Sequence, residues 1–111
     1  MKEEQTSAGK ELIKIYLELI DKVGINNKQI NLDLAFKMRS DIPRVAEKAR
    51  EDMIQGNIAL ALKVSRVFMG FANITTEDLI QRAMEALIHH VDRYDPDTGF
   101  SFSTYATVGM K

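Results

Sequence analysis

The sequence predicts an all-α protein, a compact bundle of about five helices in a single domain spanning residues 1–111. Three observations carry that expectation. Apolar residues recur at helical spacing nearly everywhere, no stretch alternates apolar and polar residues as a half-buried strand would, and cap or breaker residues fall between the periodic segments. With 111 residues the chain has enough length for one modest core.

Leu12, Ile13, Tyr16, Leu17 and Ile20 share one face of a first helix, which Gly24 and the Asn26-Asn27 pair bring to an end. Asn31 is the expected cap of a short second helix with Leu34, Ala35 and Met38 on its apolar face, stopping near Ser40. Asp41 is the expected cap of a third, with Pro43 in the first turn, where a missing N–H costs nothing. That helix is expected to reach about Phe68 through Ala46, Ala49, Met53, Leu60, Val64 and Val67, with a bend near Gly56, a position worth roughly 1 kcal/mol less than Ala. Met69 to Asn73 reads as a loop. Thr75, with Asp78 three residues on, resembles a capping box and opens a helix whose buried side is Leu79, Ile80, Ala83, Leu87 and Val91. Asp95-Pro96-Asp97-Thr98-Gly99 is a tight turn, and Val108-Gly109-Met110-Lys111 has the look of a last helix in its first turns.

Composition narrows the function classes. There is no Cys, so disulfides and thiolate metal sites are excluded, and Met1-Lys2-Glu3-Glu4-Gln5 contains no apolar run of a signal peptide. The apolar stretches are too short to span a bilayer, so a cytoplasmic location is expected. Basic and acidic side chains nearly balance, 15 against 16, for a formal charge of −1. Binding to duplex DNA mainly through phosphates calls for a cationic excess, which is missing. From Asn57 onward the cations are Lys63, Arg66, Arg82, Arg93 and Lys111, against Glu77, Asp78, Glu85, Asp92, Asp95 and Asp97. A nucleic-acid ligand would therefore need stacking and a larger partner.

Catalytic patterns are missing from the sequence: there is no Gly-rich phosphate loop and no nucleophile-base pair. Glu85 and His89, at i and i+4, could share a metal, but His90 points about 100° away and no third ligand is evident. Partly exposed helical histidines are the simpler reading, and Met53, Met69 and Met84 read as core filler. No enzymatic role and no cofactor is expected.

The last third of the chain carries the specific signal. Asp78-Leu79-Ile80-Gln81 opens an amphipathic helix, Tyr94-Asp95-Pro96 and Gly99 follow, and then Phe102-Ser103-Thr104-Tyr105-Ala106-Thr107. In this order the residues resemble the second conserved region of the sigma-70 family of bacterial RNA polymerase sigma factors. Upstream, Ile15-Tyr16-Leu17 resembles the opening of the family's preceding segment, and Met53-Ile54 with Asn57-Ile58-Ala59-Leu60-Ala61 resembles its Leu-Ile-x-x-Asn-Leu-Arg-Leu-Val stretch. The resemblance thus covers residues 12–48 as an upstream segment and 49–111 as the docking and DNA-binding segment.

The resemblance implies a transcription initiation factor domain. Its partners would be core RNA polymerase, through a coiled coil of the largest subunit, and the non-template strand of the minus-ten promoter element, with an anti-sigma factor as a further candidate partner. Asp78, Leu79, Gln81, Arg82, Glu85 and Ile88 would form the polymerase contact. Tyr105 would face out and stack on an unpaired base, and Tyr94, Asp95, Thr98 and Thr104 would line its pocket. Phe100 and Phe102 would support neighbouring nucleotides, Phe102 while packing inward, and Lys111 would be a further DNA contact. The alternative is a sigma-like module that occupies or inhibits polymerase without recognising a promoter. Several positions depart from the family pattern: Gln81-Arg82-Ala83-Met84 stands for Gln-Glu-Gly-Asn, Ala59 for an Arg, Thr98 for a basic residue, and Val108-Gly109 for a Trp-Trp pair. The resemblance also implies a piece of a longer sigma factor lacking the C-terminal promoter-binding domains, with a natural short form as the other reading.

Overall fold

The computed structural model describes residues 7–67 and 74–110, and among these only helices, turns and irregular connections occur. In chain order the elements are α1 (Ser7–Val23), α2 (Lys28–Lys37), α3 (Pro43–Gln55), α4 (Ile58–Val67), α5 (Thr76–Arg93), a 3-10 turn (Pro96–Thr98) and α6 (Phe102–Met110). The all-α expectation holds, with one helix more than expected because the long third helix is two. The expected loop at Met69 to Asn73, and Phe68, lie outside the described residues.

The division falls at Gly56 and Asn57, and its cause is a buried polar node. Asn31 of α2 donates to Asn57 Oδ1 at 3.2 Å and accepts from Asn57 Nδ2 at 2.8 Å, while Asn26 Nδ2 donates to Asn31 Oδ1 at 3.1 Å. Asn57 also donates to the Met53 carbonyl at 2.7 Å, and Asn26 N–H to the Gly56 carbonyl at 2.9 Å. A Cβ at Gly56 would overlap the Asn26 side chain, so glycine is what lets this loop close onto the helix junction. Asn31 is therefore an interior bridge and not the expected cap. The cap of α2 is Asn27, whose side chain accepts from Ile30 N–H at 2.8 Å. The N-cap of α3 is likewise Ile42 instead of Asp41, without a side-chain cap bond; Ser40 Oγ accepts the Ile42 N–H at 3.1 Å, and Pro43 takes the first helical position.

Removing one member of the asparagine node strands the others, because buried amides have no water to turn to. Asn31→Ala should lower the unfolding free energy by about 1–3 kcal/mol, read as a fall in the urea midpoint at unchanged m-value.

α5 is the central helix, packing against α4, α6, α3 and α1. Thr75 caps it by accepting the Asp78 N–H at 3.1 Å, and Glu77 and Asp78 suit the positive end of the helix dipole. Leu79, Ile80, Ala83, Leu87 and Val91 are all buried, as their spacing predicts. Each large apolar side chain among them contributes about 1.5–3 kcal/mol on burial. With Ala35, Met53, Ala61, Phe102 and Ala106, residues Ala83, Leu87 and Val91 form one core that joins α2 to α6. α1 packs on α4 and α5 with Ile13, Tyr16 and Ile20 partly covered, but Leu17, expected on the packed face, is 54% exposed. Among the described residues no helix is long and apolar enough to cross a membrane.

Candidate nucleic-acid and partner-binding surfaces

Burying one side of α5 leaves a polar stripe on the other. Asp78, Gln81, Arg82, Glu85 and Ile88 are exposed along this stripe, which His89 and Asp92 continue. Spacing of three and four residues makes them neighbours on a single face. Leu79, expected among the contacts, is a core residue: at about 100° per residue it sits a quarter-turn away from Asp78, towards the buried side. Arg50 of α3 holds the far end of the stripe, its guanidinium donating to both Asp92 carboxylate oxygens at 2.7 and 3.1 Å. That bond above all keeps the Asp92 carboxyl below the usual carboxylate range. Among the described residues the side chains of Gln81, Arg82 and Glu85 have no such partner.

Beyond α5 the chain turns sharply. Asp95 accepts the Asp97 N–H at 2.9 Å, Pro96 starts the 3-10 turn, and Gly99 closes it in the left-handed region at φ +89°. Ser101 then opens α6, its Oγ accepting the Thr104 N–H at 3.3 Å. The turn stacks four aromatic rings between α5 and α6. Phe102 lies at the bottom, 1% exposed, with its centroid 5.4 Å from Tyr94 in an edge-to-face pair and 6.5 Å from Tyr105. Tyr94 and Tyr105 lie 5.7 Å apart above it, and His90 meets Tyr105 edge-on at 5.4 Å. The Tyr94 hydroxyl donates to the Phe100 carbonyl at 2.5 Å, tying the two ends of the turn. Burial, with the nearby Asp95 charge, raises the Tyr94 pKa, so the phenol stays protonated and able to donate.

This geometry sorts the residues expected to bind DNA. Tyr94 and Tyr105 are half-buried; Asp95, Thr98, Phe100 and Thr104 are exposed, Phe100 at 65%. Phe102 is closed off beneath them, packed inward as its place beside the turn leads one to expect; its inclusion among the DNA contacts is corrected, because the buried ring supports the two tyrosines instead. Lys111 lies outside the described residues.

Sequence reasoning missed two members of this surface. Arg39, just past the end of α2, spans the turn by donating to Asp95 Oδ1 at 2.8 Å and Asp97 Oδ2 at 2.9 Å, with its guanidinium over the Phe36 ring. Both carboxylates raise the Arg39 pKa, Asp97 most through its hydrogen bond. The bridge offsets negative charge at a place where a nucleic acid would otherwise be repelled. The other is His90, partly exposed as expected, whose contact with Tyr105 was not foreseen. No local pattern announces either one, since each is defined by a partner on another element. Among the described residues no three His, Asp or Glu side chains converge as a metal site would require.

Comparison with known proteins places this geometry in context. Residues 53–110 match the family model described as Sigma-70 region 2. The chain is 33% identical over 94 residues to the RNA polymerase sigma factor RpoS of Coxiella burnetii, an alignment covering 85% of this chain and 25% of that protein. It is 30% identical over 95 residues to the sigma factor SigA of Clostridium acetobutylicum, covering 86% and 24%. Against SigA of Nostoc it is 34% identical over 73 residues, covering 66% and 18%. The chain thus spans a quarter or less of the length of these relatives.

Proposed function

Because the chain belongs to the sigma-70 region 2 family, we propose that it docks on core RNA polymerase through the exposed stripe of α5 and holds the unpaired non-template strand of the minus-ten element against the aromatic turn. The observation that carries this reading is the pairing of two surfaces on one rigid helix. α5 presents a continuous polar stripe at its N-terminal end and delivers Tyr94, at its C-terminal end, into the ring cluster with Tyr105. A helix laid on a partner's coiled coil is a common mode of docking.

The mechanism is binding, not catalysis. A half-buried Tyr105 ring, fixed from below by Phe102 and from the sides by Tyr94 and His90, offers a preorganised face for one base, worth about 1–3 kcal/mol per stacked base. Thr98 and Thr104 place hydroxyls at the same surface. Removing a base from the duplex costs a few kcal/mol, so one such pocket can favour a strand already opening without melting a duplex alone. Docking on polymerase supplies the remainder by raising the local concentration of the strand. An interaction-only role, in which the chain occupies polymerase without selecting DNA, is favoured by one observation: among the described residues the turn exposes Asp95 and Asp97, with Arg39 as the cation bound to them.

The docking half is tested on α5 with substitutions that spare the fold. Gln81→Ala and Glu85→Ala should leave the folding free energy within the small range of surface changes, about 0.5 kcal/mol either way. Combined, they should weaken binding to core polymerase by at least about tenfold, as loss of a contact worth more than 1 kcal/mol requires. Titration of labelled chain with core polymerase measures this, and unchanged affinity in the double variant would remove the stripe from the account.

A further inference from the structure

His90 sits where the two helices of the aromatic surface meet. Its ring packs edge-on against Tyr105 of α6 and at 5.4 Å from the ring of its neighbour His89. It also lies against the Gly109 backbone so closely that a Cβ at position 109 would come within 2.5 Å of Cε1 and 2.8 Å of Nε2. Glycine at 109 is the condition for the ring to occupy that space. The Nδ1 atom is sealed from solvent and has no hydrogen-bond partner among the described residues. A neutral imidazole tolerates this arrangement as an unused acceptor, but an imidazolium would carry a second N–H with nothing to receive it.

Resting on the proposed role of Tyr105 in holding a base, we infer that His90 is a positioning residue for Tyr105 whose protonation unseats the ring between α5 and α6 and weakens base capture. From α5, His89 and Arg93 face His90 and oppose its protonation; from α6 the Tyr105 phenol and the Gly109 backbone face it. Burial foremost, then His89, lowers the His90 pKa from the ordinary imidazole value, the Gly109 backbone pulls the other way, and Arg93 adds a further lowering. The folded-state value is depressed, so the packed arrangement is fully present above the unfolded value of about 6.5 and is lost as pH falls through the depressed folded value.

The test separates the ring from its proton. His90→Phe keeps an aromatic ring against Tyr105 and cannot titrate, His90→Ala removes the ring, and His89→Gln controls for the exposed neighbour. In the free chain, the Tyr105 ring resonances should move together with the His90 titration in the wild type and in His89→Gln, and should stay fixed in His90→Phe. In the polymerase complex, retention of a single-stranded minus-ten oligonucleotide should hold above about pH 6.5 and fall as the pH is lowered below it for the wild type. It should be flat with pH for His90→Phe and reduced throughout for His90→Ala. Tyr105 resonances indifferent to His90 protonation, or identical pH profiles for wild type and His90→Phe, would overturn the inference. If no variant retains the oligonucleotide at any pH, the base-capture role fails, while the resonances of the free chain still decide whether His90 governs Tyr105.

Discussion

Phe102→Ala is expected to lose about 3–5 kcal/mol of folding stability, the range for deleting a fully buried aromatic ring. Phe102 is among the largest fully buried side chains, it touches both tyrosines, and it belongs to the core shared with Met53, Leu87 and Val91. Truncation would remove the floor of the aromatic surface and leave a cavity between α5 and α6, which little else could fill. Small domains have about 5–15 kcal/mol in total, so the loss is a large share of the whole. Urea unfolding followed by circular dichroism should show the midpoint falling steeply. A loss below about 1 kcal/mol would mean that α6 packs independently of this ring.

Tyr105→Ala is expected to separate binding from folding. The side chain is half-buried, so truncation costs less stability than at Phe102, but the face offered to a base disappears. Loss of one stacked base corresponds to about 1–3 kcal/mol, or roughly a 5- to 150-fold weaker hold on single-stranded DNA in the polymerase complex. Affinity for polymerase itself should not change, because the exposed stripe of α5 lies on a different element face. Anisotropy of a labelled oligonucleotide with the variant and core polymerase measures the loss. Equal retention by wild type and variant would place the DNA elsewhere on the chain.

The contrast between these two rings shows which features were legible in the sequence. The buried face of α5 was readable residue by residue, because an 18-residue helix with a capping threonine gives a periodic signal longer than its end effects. The same periodicity places Leu79 among the buried residues, so its assignment to the polymerase contact conflicted with its own helical angle. Aromatic residues around a Pro-Gly turn marked the second surface, with Phe102 expected inward and Tyr105 outward; Phe102 is buried, while Tyr105 is half-buried between Tyr94 and His90. Phe102 is inward and Phe100 outward because Ser101 starts α6 between them and the helix turns one side chain into the core.

What the sequence did not reveal depends on distant partners. Asn31 carries the usual mark of a helix cap, and only Asn57, 26 residues away, makes it an interior bridge. Asn27 was then free to cap α2, and the third helix stopped at Gly56 where Asn26 needed room. Arg39 meets carboxylates 56 and 58 residues further along the chain, so no window of sequence contains the pair. His90 read as one of two partly exposed histidines, and only the packing of α6 brings it against Tyr105. Each case is a polar side chain whose role is set by tertiary packing, which overrides local preference.

The central claim is that one chain carries both surfaces, and it is tested most directly by titrating the fluorescently labelled chain with core RNA polymerase in the presence of a single-stranded minus-ten oligonucleotide. The account predicts saturable binding in which the oligonucleotide is retained by the wild type, lost with Tyr105→Ala, and lost together with polymerase when Gln81 and Glu85 are replaced. Saturable polymerase binding that retains no oligonucleotide, or retains it equally with Tyr105→Ala, would contradict the account and leave a chain that occupies polymerase without reading DNA.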